Sequence, residues 1–277
     1  MQRSKIAWTD ATWNPVTGCS KVSPGCANCY AERFAERFRG VAGHPFEHGF
    51  DLQLRPERLD EPLHWRKPRR VFVCSMADLF HPDVPDEFIG SVFTSMSYVP
   101  SHTFQVLTKR PERMASFLSG VATSPQGWLT HNGMDPKGIA RGDNLGQIIH
   151  GDWPMPNVWL GTSIENDRFV GRADYLCQTP AAVRFVSAEP LLGPLPSLDL
   201  TGIDWVIVGG ESGPGTRRMD PEWVRDLRDR CKAAGVAFFF KQAGAVLARE
   251  WGCKSLKGED PAEWPEEFQI RQTPEDH

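Results

Sequence analysis

The hydrophobic positions of this chain fall into short unbroken runs separated by longer polar-patterned stretches. VFVC (71–74), FQVL (104–107), NVWLG (157–161), VRFVS (183–187), DWVIVGG (204–210) and VAFFF (236–240) are rich in Val, Ile and Phe, and a weaker run, ATWNPV (11–16), precedes them. Runs that are apolar at successive positions predict strands buried on both faces, as in a parallel sheet covered by helices. Between them the period changes. PDEFIGSVFTSMSYV (85–99) sets Phe88, Val92, Met96 and Tyr98 near one helical face. DPEWVRDLRDRCKAAG (220–235) opens with Asp at an N-cap, has Pro next and closes on Gly, and RPERMASFLSG is a shorter relative. YAERFAERFRG (30–40) spaces Tyr30, Phe34 and Phe38 four apart with Ala31 and Ala35 alongside, predicting an amphipathic helix that ends at Gly40.

Six or seven such units predict an α/β fold, as a doubly wound sheet or as a partial or complete parallel (β/α) barrel. The polar residues favour the barrel. The successive runs end in Ser75 and Asp78, in Lys109 and Arg110, in Ser163 and Glu165, in Glu189, in Glu211, and in Lys241 and Gln242. In a parallel barrel these positions meet at one mouth, where such enzymes place their chemistry. One such cluster alone would read as a strand end capping the next helix; six in a row point to a site. The expected organisation is a barrel domain over 1–245 with a cysteine loop at 17–30 and an insertion at 119–156. The insertion, rich in Gly, Pro and Asn, reads equally as a lid or as solvated surface. An extension, 246–277, is expected to pack on the barrel.

Composition removes several classes. With 40% hydrophobic and 24% charged residues and a formal net charge of −4 over 277 residues, the chain matches neither a disordered segment nor a strongly basic nucleic-acid binder. No signal-peptide core or 18-residue apolar run is present, so the expected location is cytoplasmic, with no membrane partner. Seven cysteines, at 19, 26, 29, 74, 177, 231 and 253, are an odd and irregular set. In a reducing compartment they do not suggest a disulfide framework, and the N-terminal triplet reads as a metal or cluster site. Cys177 and Cys231, within helical patterns, read as small buried hydrophobes.

In TGCSKVSPGCANCYAERF the triplet Cys19, Cys26 and Cys29 sits between a first strand and a helix. Cys26 and Cys29 form a knuckle of the kind that holds zinc, with Cys19 as a third ligand and His44, His48 or Cys74 as candidates for a fourth. The second paired motif of most zinc ribbons is missing. A [4Fe–4S] cluster explains three ligands directly, because one iron is then left for a small molecule.

The segments SKIAWTDATWNPVTGCSKVSPGCANCYAERFAERF, SMADLFHPDVP, FQVLTKRPERM, VRFVSAEPLLGP and VIVGGESGPG resemble a phage-associated three-cysteine-motif family of unassigned activity, grouped with radical S-adenosylmethionine proteins. The resemblance covers roughly residues 3 to 245. It implies a radical S-adenosylmethionine-like barrel in which Cys19, Cys26 and Cys29 hold the cluster and S-adenosylmethionine chelates the open iron. The familiar superfamily spacing has three residues in its first gap, and this chain has six. The superfamily's Gly-Gly-Glu element follows an early strand, whereas Gly209-Gly210-Glu211 follows a late one, so Ser75 and Asp78 are better placed for the methionyl amino group. Ser163, Glu165 and Glu189 are the remaining candidates for the cofactor, and Glu211 and Lys241 for catalysis. Lys109 and Lys241 are also candidates for binding a carboxylate or phosphate. An electron donor such as flavodoxin or ferredoxin is the implied partner. The substrate is unknown; the basic runs HWRKPRR (64–70) and TKRPER (108–113) admit a nucleic acid or nucleotide. The alternative reading is a zinc-stabilised, non-catalytic binding or adaptor protein.

Overall fold

Each apolar run becomes a strand, and the sequence patterns between them become helices. The computed structural model describes residues 4–123 and 153–276. In chain order these contain β1 (Ala11–Trp13), β2 (Val16–Thr17), α1 (Tyr30–Glu36), β3 (Gln53–Leu54), β4 (Arg70–Val73), α2 (Asp86–Ser97), β5 (Thr103–Thr108) and α3 (Pro111–Thr123). They continue with β6 (Val158–Ser163), α4 (Arg172–Gln178), β7 (Val183–Ala188), β8 (Trp205–Gly209), α5 (Pro221–Ala234), β9 (Ala237–Gln242) and α6 (Gly244–Glu250). Seven strands form one all-parallel sheet in the order β1-β4-β5-β6-β7-β8-β9, curled into a half-barrel with β1 and β9 at its edges. β2 and β3 pair antiparallel beside it.

Alternation along the strands separates two cores. Val71, Val73, Val106, Leu160, Val186, Val206, Val208, Phe238 and Phe240 face the helices, packing with Ile89, Val92, Phe93, Met114, Leu176, Val224 and Leu227. The intervening positions, Phe72, Trp159, Phe185, Trp205, Ile207, Ala237 and Phe239, fill the inside of the curl together with Trp8. Trp8 reaches across this interior, with ring centroids 4.7 Å from Phe72 and 6.3 Å from both Phe185 and Trp205. Gly161 makes room for this packing, since a Cβ there would meet the Phe185 ring at 2.5 Å. Going up the strands, the inward residues change from aromatic to polar: Trp159 is followed by Ser163, Phe185 by Ser187 and Glu189, and Phe239 by Lys241.

The helix termini follow their sequence signals. Asp220 caps α5 by accepting the Glu222 N–H at 3.0 Å, and Gly235 closes it at φ 69°. Three expectations change. α1 ends at Glu36, not Gly40, and buries Ala31 and Ala35 while leaving Tyr30 and Phe34 exposed. The small Ala side chains let the helix approach the body, and Phe34 instead joins Phe38 and Phe46 in a satellite aromatic group. Cys177 is exposed, its thiol donating to the Thr201 carbonyl, whereas Cys231 is buried as expected. Of the expected insertion, residues 119–123 complete α3, and 124–152 lie outside the described residues.

The tail runs back along the edge strand β9. The Ile270 carbonyl accepts the Phe240 N–H at 2.8 Å, and Trp264 and Phe268 pack on the Phe240 ring at 4.8 and 5.5 Å. An exposed sheet edge offers unpaired backbone groups, and this cover satisfies some of them. Among the described residues no helix is long and apolar enough to cross a membrane.

Candidate functional site

The cysteine loop leaves β2 through Gly18, whose φ of +83° and close approach to the Asp51 carbonyl exclude a side chain. A single 3₁₀ turn, Pro24–Cys26, follows, and Cys29 is the N-cap residue of α1. Cys19, Cys26 and Cys29 are all free thiols, half-buried, and all line one cavity of about 490 Å³ at the C-terminal ends of the strands.

Four strand ends hold this loop in place. After β4, Ser75 offers its carbonyl to the Tyr30 hydroxyl at 2.5 Å. After β5, Arg110 donates to the Ser20 carbonyl at 3.1 Å and to its hydroxyl at 3.0 Å, and lies 3.6 Å from Cys19 Sγ. After β6, Glu165 accepts the Ser23 hydroxyl at 2.5 Å. After β8, Glu211 accepts Asn28 Nδ2 at 3.1 Å, and its partner Arg217 donates to the Pro24 carbonyl at 3.0 Å.

Three carboxylates predicted to face cofactor or substrate are therefore engaged within the protein. Asp78 accepts Thr108 Oγ1 at 2.7 Å, the Lys109 N–H at 3.0 Å and Arg110 Nη1 at 2.9 Å. Glu165, fully buried, also pairs with Lys109 at 2.6 Å and Arg172 at 3.0 Å, and it does not line the cavity. Glu211 is held by Arg217 Nη2 at 2.5 Å and by the Arg217 N–H at 2.8 Å. Burial by itself pushes the Glu165 and Glu211 carboxyls up; the Lys109 charge on Glu165 and the Arg217 hydrogen bonds to Glu211 outweigh it and leave both below the ordinary value of 4.5. Gly25 packs directly on Glu165, where a Cβ would meet the carboxylate at 2.5 Å. Lys109, expected to bind a carboxylate, binds this one.

The remaining predicted residues lie at the ends of β6, β7 and β9, on the same cavity that Asp78 and Glu211 line. Ser163, Glu189 and Lys241 line the cavity with Ser187. Glu189 pairs with Lys241 at 2.8 Å and accepts the Ser187 hydroxyl at 3.2 Å. The pair closes across Gly209, where a Cβ would meet Glu189 Oε1 at 2.5 Å, while Gly210 lets β8 approach the Ala243 carbonyl. The two glycines serve backbone approach. Ser163 is 4% exposed, and its hydroxyl makes no hydrogen bond among the described residues. Trp8, Phe72 and Leu107 are part of the apolar lining, and seven cationic side chains against four carboxylates line the cavity as a whole.

The donor set suits soft metal chemistry: three unpaired thiols, with Lys21, Arg33 and Arg110 beside them to offset thiolate charge. The candidates for a fourth ligand do not join it. His44 stacks on Phe38 at 3.8 Å and accepts the Phe46 N–H, and neither it nor His48 lines the cavity. Cys74 does line it, but burial pushes its thiol well up, which keeps it protonated. Among the described residues, no three His, Cys, Asp or Glu side chains are gathered closely enough to hold a single metal ion.

The signals missed from sequence were the counter-charges. Arg172 and Arg217 follow Glu165 and Glu211 by seven and six residues, and Ser20, Ser23 and Asn28 lie inside the cysteine loop itself. Of the two basic runs, 64–70 leads into the start of β4, at the end of the sheet away from the cavity. In 108–113, Lys109, Arg110 and Arg113 pair with Glu165, Asp78 and Asp86.

The chain belongs to a family of proteins of unknown function, DUF5131, whose family model matches residues 3–269. The match runs past residue 245 into the tail, in keeping with its packing on β9. The comparisons with curated proteins and with solved structures gave no match.

Proposed function

We propose that this member of the DUF5131 family holds a polynuclear iron–sulfur cluster on Cys19, Cys26 and Cys29, and that it is a radical S-adenosylmethionine enzyme. The observation that carries this reading is the convergence of three free, half-buried thiols on one cavity at the strand ends, with no fourth ligand joining them among the described residues. A single tetrahedral ion needs its sulfurs about 4 Å apart, given Zn–S bonds of roughly 2.3 Å. A cluster spreads its ligands more widely, and three thiols on one cavity would leave one iron of such a cluster free for a small molecule. When bound, the cluster and S-adenosylmethionine supply one-electron cleavage of the sulfonium and hydrogen abstraction from the substrate.

The chain's own residues divide the remaining work. Arg110, Glu165 and Glu211 fix the loop, so the thiols are preorganised before any ligand arrives. The Lys241 ammonium has one partner, Glu189, among the described residues, and its other N–H donors are available to orient a carbonyl or anionic oxygen of the substrate. The Ser163 hydroxyl is a second polar anchor, and the Trp8 and Phe72 surfaces below exclude water from the reacting centre.

The test is anaerobic reconstitution, reduction with dithionite and addition of S-adenosylmethionine. The expected product is 5′-deoxyadenosine, formed by the wild type and absent from Cys26→Ala. A retained cluster that never cleaves S-adenosylmethionine would overturn the radical assignment and leave a redox role.

A further inference from the structure

We propose that Arg110 sets the redox poise of the three-cysteine centre through a charged hydrogen bond to Cys19, making the three thiolates inequivalent. The proposal rests on the cluster reading above.

Arg110 is the one guanidinium or ammonium among the described residues that hydrogen-bonds to any of the three sulfurs, with Nη1 at 3.6 Å from Cys19 Sγ. Cys26 has only the Ser23 hydroxyl, at 3.8 Å, and Cys29 has no side-chain donor among the described residues. The guanidinium is held from several sides. Nη1 also donates to Asp78 Oδ2 at 2.9 Å, Nη2 donates to Ser20 O and Oγ at 3.1 and 3.0 Å, and the Arg110 N–H donates to Thr108 Oγ1 at 2.9 Å. Both supports are themselves fixed. Asp78 accepts the Phe80 and Lys109 N–H groups, each at 3.0 Å. Ser20 Oγ lies 2.7 Å from His81 Nε2, and His81 Nδ1 accepts the Asp83 N–H at 3.2 Å, which places the ring proton on Nε2 and makes it the donor.

A donor fixed in this way acts unequally on the two oxidation states. The ligand sulfurs carry more negative charge after one-electron reduction, so a cationic N–H donor stabilises the reduced form and raises the potential. Asp78 behind Arg110 tempers its charge without displacing the N–H. Arg110 is thus a positioning residue that acts through Cys19.

The test compares wild type, Arg110→Met and Arg110→Lys after anaerobic reconstitution, by iron and sulfide content and by EPR-monitored redox titration. Arg110→Met is expected to keep its cluster and to become harder to reduce by about tenfold in equilibrium constant, ~59 mV for one electron. Arg110→Lys, which keeps the charge and loses the fork, is expected to fall between. Uniform ¹⁵N-arginine labelling supplies a readout that needs no variant: pulsed EPR of the reduced wild type is expected to show coupling to a guanidinium nitrogen. A potential unchanged in a loaded Arg110→Met, or no ¹⁵N coupling in the wild type, would overturn the proposal while leaving the cluster intact. A wild type that takes up no cluster would overturn the cluster reading and this proposal with it.

Discussion

The inside of the half-barrel has two levels that share the same strands and obey different physics. The floor is aromatic: Phe72, Phe185 and Trp205 meet Trp8, and Trp159 packs on Trp205. The mouth is ionic: Asp78, Glu165, Glu189 and Glu211 each sit against a Lys or Arg. The floor contributes non-directional burial, whereas the mouth contributes direction, because a bidentate or buried ion pair tolerates little displacement. The difference teaches that acidic strand ends are not automatically a ligand shell. Here three of the four fasten the cysteine loop, directly or through Arg110, and Glu189 with Lys241 faces the cavity.

The largest expected effect belongs to the floor. Trp205→Ala removes a fully buried ring within contact of Trp8, Trp159, Phe185 and Phe239, and is expected to cost about 4 kcal/mol in urea unfolding. Hydrogen exchange in that variant should rise across the whole sheet. Glu165→Gln strikes the mouth. It leaves Lys109 and Arg172 largely buried without their counter-charge, and about 3 kcal/mol is expected. Its exchange should rise first in residues 19–29, and a rise spread evenly over the sheet would erase the distinction between the levels.

A smaller effect comes from acid. Glu165 and Glu211 titrate below 4.5 when folded, so their contribution is present above the unfolded value and is lost as pH falls through the folded one. Exchange of the cysteine loop is therefore expected to rise once pH falls below 4.5 and before global unfolding, and to stay level at neutral pH. The smallest change in stability, about 1 kcal/mol, is expected for Lys241→Met, which removes a half-buried ammonium that holds the single carboxylate Glu189 and no part of the cysteine loop. That variant should keep cluster content and S-adenosylmethionine cleavage while losing turnover of substrate; a loss of cluster content would place Lys241 with the loop-holding residues instead.

The strands were legible because parallel strands buried on both faces leave unbroken apolar runs, and the mouth was legible because polar residues recur after each run. The partners were not, since sequence does not say which cation reaches which carboxylate across neighbouring strand ends. Arg217 is six residues from Glu211, yet it also bonds Pro24, 193 positions away. α1 misled for a related reason. Periodicity marks Tyr30, Phe34 and Phe38 as the apolar face, but the close approach of Cys29 to the cavity wall favours the small face of Ala31 and Ala35. The Gly-Gly-Glu tripeptide is set aside as a cofactor element because it follows a late strand, and its glycines admit Glu189 and the Ala243 carbonyl.

The central claim is that the Cys19, Cys26 and Cys29 thiols form a three-point cluster site. Mössbauer spectroscopy of anaerobically reconstituted ⁵⁷Fe protein, with iron and sulfide analysis, tests it most directly. The account predicts a [4Fe–4S] cluster with one iron distinguished from the other three, retained in Cys74→Ser and lost in Cys19→Ala, Cys26→Ala and Cys29→Ala. Stoichiometric zinc without sulfide, or a cluster that survives loss of all three cysteines, would contradict it.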